Sequence, residues 1–383
     1  MPRRVLILVM IPIVIVTLVS VMRLLPKHGD APADPATPAT PTTKLDHLPS
    51  LEGASAWLNG GPLTRDSLAH HPTVLYVWSD TDPLSLEMMQ QVQGWQMAYG
   101  RYGVRVIGIH APDFAFAANP AVATSVVRRM HLTFPIALDP EYNLRGKLGG
   151  REERPRVIVA DASGRVLVDR GADGGDEADR ALRDQVRLLH PEIAFPANPN
   201  APEHAALPAE QPRVVFLGTS HVRSGPLAGA APGRTLTYGA QFRYQVEGDP
   251  YVPFPVGRWT PTAEGIVAAR GGAANFVAIR SRAERVAAVI GPPPGGSSRV
   301  WILADDQWLA SDARDVDAQV DARGASFVMV TEPRLYWLSK AKAGVLKLSP
   351  DDPGVTFYSF AFDRGEDGRR AEAPMSGEVL GAR

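Results

Sequence analysis

Cysteine is absent from the 383-residue chain. Its absence excludes disulfides, thiol redox exchange, thiolate nucleophiles and cysteine metal sites. An excess of either charge is lacking too. Forty Lys and Arg face 41 Asp and Glu, for a formal net charge of -1, so there is no electrostatic case for nucleic acid as a partner. Convincing helical periodicity is missing after residue 190, where short strand-like runs take over. What is abundant is glycine and proline, 35 of each, as fits a loop-rich or strand-rich chain. Hydrophobic residues make up 45%, enough for real cores, and the length suggests two domains plus extensions.

One long apolar run occurs. Residues 5–22 are apolar apart from Thr17 and Ser20, with Arg3 and Arg4 before them and Arg23 and Lys27 after. Such a run can cross a hydrocarbon core of ~30 Å as a helix. A cleavable signal has a shorter apolar core and a small-residue site close behind it; here Ala31-Pro32-Ala33 lies well past Arg23. Residues 1–27 are therefore expected to be an uncleaved, single-pass membrane anchor, with the rest of the chain on the periplasmic side. Residues 28–44 are rich in Pro, Ala and Thr and read as a semi-rigid spacer.

Residues 45–190 alternate strand and helix signals: strands at 73–78, 104–110, 135–138, 156–160 and 165–169, and helices at 83–102, 120–131 and 176–189. That order implies an α/β domain with a central sheet and helices on both faces. Residues 191–212 carry six prolines and mark a linker between domains. Residues 213–363 predict eight strands, at 214–217, 265–269, 275–279, 285–290, 299–303, 326–330, 345–348 and 355–362. They suggest an all-β, jelly-roll-like sandwich. In the last strand Val355, Phe357, Ser359 and Ala361 are expected to oppose Thr356, Tyr358, Phe360 and Phe362. Residues 364–383 are charged and Gly-rich and read as a flexible tail.

The chemistry of the first domain concentrates where Leu75-Tyr76-Val77-Trp78 gives way to Ser79-Asp80-Thr81-Asp82-Pro83-Leu84-Ser85. Asp82 suits a helix N-cap and Pro83 the first helical position. The free N–H groups and the helix dipole favour negative charge there, and in a redox protein that field would stabilise a thiolate. A carboxylate holds the position here. The spacing of Asp80 and Asp82 supplies no third ligand, so no metal and no cofactor is expected.

Several segments of this region resemble the redoxin domain of DipZ-type thioredoxin-like proteins. They are Tyr76-Val77-Trp78, the helix with Trp95 and Tyr99, Val106 through Phe116, Phe134 through Asp139, and Arg154-Pro155 with the strand behind it. The resemblance implies a thioredoxin-like fold. It places the family's two cysteines at Asp82 and Ser85, its cis-proline at Pro155 and a family loop at His110, where an ordering role is expected. Both cysteines being absent, the family's thiol–disulfide exchange is not expected. Full family members often carry a multi-helix electron-transferring membrane half, in place of which this chain shows the single anchor.

The second half resembles the family's carbohydrate-binding-module-like domain through Phe216-Leu217-Gly218, Val256-Gly257-Arg258-Trp259, Ile290-Gly291-Pro292-Pro293, Asp315-Val316-Asp317 and residues 330–336 and 354–362. Sugar recognition stacks pyranose faces on exposed aromatics beside polar side chains. The candidates are Trp259, Trp308, Asp305, Asp306, Arg334 and Tyr336, whereas Trp301, between Val300 and Ile302, reads as core. The sequence thus predicts a membrane-anchored pseudo-redoxin of the cell envelope, a binding or scaffold protein for a glycan or an envelope protein, and not an enzyme. The alternatives are a thiol-independent activity using Asp82, Ser85 or His110, or an envelope chaperone using the groove beside Pro155.

Overall fold

The computed structural model describes residues 45–149, 154–193, 213–222, 225–239, 250–340 and 344–363. The expected anchor, the spacer at 28–44, most of the linker and the tail lie outside the described residues. Among the described residues, no helix is long and apolar enough to cross a membrane.

The first domain is a six-stranded sheet of β1 (Ala56–Leu58), β2 (Thr73–Trp78), β3 (Arg105–His110), β4 (Ile136–Leu138), β5 (Arg156–Ala160) and β6 (Val166–Arg170). Their order is β1-β4-β3-β2-β5-β6, with β2, β3 and β4 parallel and β1, β5 and β6 antiparallel to their neighbours. Every residue of β2 is buried, because both faces of the sheet are covered. The helices are α1 (Arg65–Leu68), α2 (Pro83–Tyr99), α3 (Pro120–Arg129), α4 (Asn143–Lys147) and α5 (Gly175–Leu189). The three long ones share a face. Met89, Val92 and Trp95 of α2, Val126 of α3 and Leu182 and Val186 of α5 meet Val74, Tyr76, Trp78 and Val106. The opposite face, Leu75, Val77, Ile107 and Ile109, is closed by Leu51, Leu144 and Leu148, with Leu68 packed against them. Each fully buried aliphatic side chain contributes about 1.5–3 kcal/mol.

Helix α2 is shorter than its sequence pattern suggests. Gly100 caps it, and Gly100–Tyr102 tighten into a 3-10 turn that Gly103 ends at φ +86°, a conformation that favours glycine.

The second domain is an antiparallel sandwich. Its strands are β7 (Val214–Phe216), β8 (Leu236–Tyr238), β9 (Pro253–Pro261), β10 (Ile266–Ala268), β11 (Phe276–Arg280), β12 (Arg285–Gly291), β13 (Ser298–Ala304), β14 (Gln307–Trp308), β15 (Gln319–Val320), β16 (Ser326–Val330), β17 (Arg334–Ser339), β18 (Val345–Pro350) and β19 (Thr356–Asp363). They follow the order β15-β16-β13-β18-β11-β9-β10-β19-β12-β17, with β14 on β13, β7 on β19 and β8 on β9. Strand β9 belongs to both layers. Its first half pairs with β11 and its second with β8 and β10. The crossing falls at Gly257, φ +96°, where a Cβ would sit 2.2 Å from the side-chain oxygen of Asn275.

The sequence pattern does not announce β9, because Pro253, Pro255 and Pro261 offer no N–H to a ladder. In β19 the register slips between Val289 and Ile290 of its partner. The bulge brings Phe357 onto the same core as Phe360 and Phe362 and turns Tyr358 and Ala361 to the other face. The simple alternation expected for this strand is thereby corrected.

Candidate functional site

The junction after β2 is built by local hydrogen bonding. Asp82 is the N-cap of α2, with Pro83 in the first turn. Its Oδ2 accepts from the Ser85 backbone N–H at 3.0 Å and from the Ser85 hydroxyl at 2.6 Å. The Ser85 hydroxyl oxygen also accepts from the Ser79 N–H at 3.3 Å, and the Ser85 carbonyl accepts from the Tyr76 hydroxyl at 2.7 Å. The two positions assigned to the family cysteines are thus bonded to each other, and Ser85 is fully buried. Burial pushes the Asp82 carboxyl up to about 6; the Ser85 hydrogen bonds oppose the shift and the Asp113 carboxylate adds to it.

A second buried pair lies beside the first. His110, at the end of β3, places Nε2 3.0 Å from Asp80 Oδ1, and its ring packs 4.7 Å from that of Trp78. Thr81 donates to Asp113 at 3.0 Å. Asp113 is bonded to Arg154, whose guanidinium also donates to the Ala111 carbonyl at 2.9 Å. This chain of contacts ties the loop after β3 to the segment holding the cis Arg154–Pro155 bond. Among the described residues, no group of three or more His, Asp or Glu could hold a metal.

The sandwich covers this end of the first domain. Phe114 stacks on Phe116 at 5.6 Å and meets Tyr358 and Phe216 at 5.1 and 5.8 Å. Leu86 of α2, Val289, Leu335 and Ala361 complete the apolar contact. Polar contacts frame it. The Ala115 N–H donates to Glu264 at 2.8 Å, and Glu332 receives Arg129 at 3.1 Å and Ser125 at 3.2 Å. Arg285 lies 3.4 Å from Glu87, grips Asp315 at 2.5 and 3.1 Å and stacks 3.5 Å over Trp337. Sequence reasoning assigned the family loop at His110 an ordering role. It did not find that Phe114 and Phe116, in the same loop, would be the docking residues.

The expected sugar-binding residues do not converge. Trp259 is fully buried, with Nε1 donating to the Val256 carbonyl at 2.8 Å and Phe357 edge-on at 5.7 Å. Tyr336 is fully buried and its hydroxyl closes a turn on the Glu332 carbonyl at 2.7 Å. Both offer no face to a ligand, which corrects that expectation: each packs on the sandwich core. Arg334 is spent on Asp317 at 2.7 Å and on the Tyr336 ring at 3.7 Å. Asp305 and Asp306 form the turn before Trp308, which is 46% exposed. Trp301 is not core. Strand alternation sends Val300 and Ile302 inward and Trp301 outward, where it meets Trp308 at 5.9 Å.

A sheet of this order, with a helix that starts straight after its central strand, is that of a thioredoxin-like domain, and the two positions the resemblance assigns to the family's cysteines carry no sulfur. The family model described as "Thioredoxin like C-terminal domain" matches residues 222–363. Protein DipZ of Mycobacterium bovis is 25% identical over 215 residues, which is 54% of this chain and 28% of that protein. The thiol-disulfide oxidoreductase YkuV of Bacillus subtilis is 27% identical over 119 residues, 31% of this chain and 79% of YkuV. A solution structure of a thioredoxin-like protein in its oxidised form is 26% identical and covers 37% of this chain and 97% of that one, at a TM-score of 0.34. The chain is thus similar to DipZ and YkuV and its first domain is thioredoxin-like, and the stretch it shares with DipZ spans about a quarter of that protein's length.

Proposed function

We propose that this chain is a binding or scaffold protein of the cell envelope, derived from a redoxin and without thiol redox activity. The observation that carries this reading is the Asp82–Ser85 pair. The two positions that the resemblance assigns to the family's cysteines hold a carboxylate and a hydroxyl bonded to each other at 2.6 Å, both buried. Neither side chain can accept or donate the electron pair of a disulfide. The sandwich is then the part left to hold a partner, a glycan or an envelope protein. The apolar segment at residues 5–22 would anchor the chain in the membrane with both domains on the periplasmic side.

A thiol-independent enzyme is less well supported. The Ser85 oxygen already takes part in two hydrogen bonds within the junction, and the Asp80–His110 pair is 2% exposed or less.

The reading is tested by incubating the full-length chain with a solubilised envelope fraction and analysing what is retained, alongside a disulfide-reductase assay. Retention of envelope polysaccharide or of a defined envelope protein, with a blank reductase assay, is expected. Reductase activity above the buffer rate, or an envelope fraction that passes through unretained, would overturn the reading.

A further inference from the structure

Four large apolar side chains of the sandwich stand outside its core. Trp301 and Phe327 oppose each other across β13 and β16, and Leu303 and Trp308 across β13 and β14, so all four share one outer face. The indoles of Trp301 and Trp308 lie 5.9 Å apart with their planes at 59°, an open V, and Phe327 braces Trp301 edge-on at 5.5 Å.

Both walls of the V are fixed. The Trp301 Nε1–H is bonded to Asp351. Trp308 follows the two-residue turn Asp305-Asp306, at φ 50° and 64°, the left-handed region that a tight hairpin needs and that Asp tolerates better than most residues. The Asp305 carboxylate accepts from the Gly344 and Val345 N–H groups at 3.0 and 2.8 Å, and Asp306 is bonded to Lys347. The charges around the V are thus Arg299, 5.8 Å over Trp301, and Lys347 against Asp305, Asp306 and Asp351. Three acids against two bases give an anionic ligand no attraction. The face suits an extended, apolar occupant of little charge.

The chain itself carries such a segment. Pro32, Pro35, Pro38 and Pro41 recur at a strict three-residue step, with Ala and Thr between them and Asp34 as the one charge of the run. A polyproline II helix has three residues per turn, so this step sets all four prolines along one edge. An edge of this kind has little conformational entropy to lose and docks on aromatic walls. Its carbonyls make no internal bonds, and the Trp308 indole N–H is a donor that can reach them. Pro196, Pro199 and Pro202 repeat the step over a shorter run. The anchoring put forward above would hold copies side by side in one plane, with residues 32–41 close behind the anchor in sequence, and so raise the effective concentration of one copy's prolines at another's sandwich.

We propose that the Trp301–Trp308 face binds the proline ladder of residues 32–41 from a second copy of this chain. The inference goes beyond the binding role given above, since it makes the chain a partner for itself. Pyrrolidine rings enter the V, and the Trp308 N–H donates to a ladder carbonyl.

The test follows the full-length chain in detergent micelles by sedimentation velocity over a range of concentrations. Association that grows with concentration is expected. Trp308→Ala, whose side chain packs no core, should keep the wild-type circular dichroism and weaken association about tenfold or more. Pro32→Ala, Pro35→Ala, Pro38→Ala and Pro41→Ala together should do the same. The two variants, once mixed, should associate with each other, because one keeps the ladder and the other keeps the face. A synthetic peptide of residues 30–43 should dissociate the wild type and shift its tryptophan fluorescence. A peptide of the same composition with its prolines off the three-residue step should do neither. The proposal is overturned if the wild type is a monomer throughout, if either variant associates as the wild type does, if the mixed variants stay apart, or if the scrambled peptide competes equally. An envelope component retained by a monomeric chain would leave the broader binding role standing while removing this inference.

Discussion

The Ser85 hydroxyl donates to Asp82 Oδ2 at 2.6 Å, with both side chains buried at the first turn of α2. Here the helix N-terminus is satisfied by a carboxylate that its own third neighbour holds still. The pair makes the junction a structural cap, and its energetics can be measured.

Ser85→Ala removes one of the hydrogen bonds that oppose the desolvation of Asp82. The variant should lose about 1–3 kcal/mol of stability at neutral pH, read from urea unfolding. The Asp82 carboxyl should titrate higher than about 6, which carbon-detected NMR of the side chain can follow. Unchanged stability and titration would mean that the bond carries nothing.

The pH dependence has a defined sign. Asp82 is raised from 3.8 to about 6 in the folded chain. A raised pKa means that its contribution is fully present below pH 3.8 and is lost as pH rises through 6. The span corresponds to roughly 3 kcal/mol as an upper figure. Asp82→Asn, which keeps a capping oxygen, should flatten the stability profile between pH 4 and 6. A profile as steep as the wild type's would assign that slope to another group.

Phe114, stacked on Phe116 of its own loop, reaches across to Phe216 and Tyr358 of the sandwich. Phe114→Ala should cost about 3–5 kcal/mol if the two domains unfold as one unit. It should also raise hydrogen exchange at the Ala115 amide, which donates to Glu264 across the interface. Loss of stability confined to the first domain, with no change at β19, would show that docking does not couple them.

Glu87 gives the interface its own pH response. Burial against the sandwich and the facing Asp363 carboxyl push it up to about 9, against the pull of Arg285. The side chain stays 39% exposed, so solvent screens part of this effect. Docking should be tightest below the ordinary carboxyl range near 4.5 and weaken progressively as pH rises toward 9. Glu87→Gln should remove that trend in the protection of the Ala115 amide, after correction for intrinsic exchange. A trend of the opposite sign, or an unaltered one, would refute the assignment.

Much of the first domain was legible because its signals are local. The fully apolar β2, the Asp82-Pro83 start of α2 and the apolar spacing of Met89, Val92 and Trp95 each lie within one element. Strand β9 was not legible, because its prolines argue against a strand until the crossing at Gly257 is seen. Trp301 was misplaced because apolar neighbours in sequence say nothing about which face of a strand a residue takes. The bulge in β19 hid in the same way, since a slipped register shows only against its partner β12.

Composition alone settled that this chain performs no thiol chemistry, because a cysteine count of zero needs no geometry. Short-range sequence also settled the helix start, because Asp82 and Ser85 are three residues apart and any helix brings them together. Tertiary structure decided what surrounds that start. Ala115 meets Glu264 across 149 positions of chain, and Ser125 meets Glu332 across 207. It also decided which tryptophans face solvent, since Trp259 and Trp308 are both apolar side chains beside strand-forming residues and only packing of the two layers buries one and leaves the other out. Contacts of that separation depend on how whole sheets stack, and no local pattern encodes them.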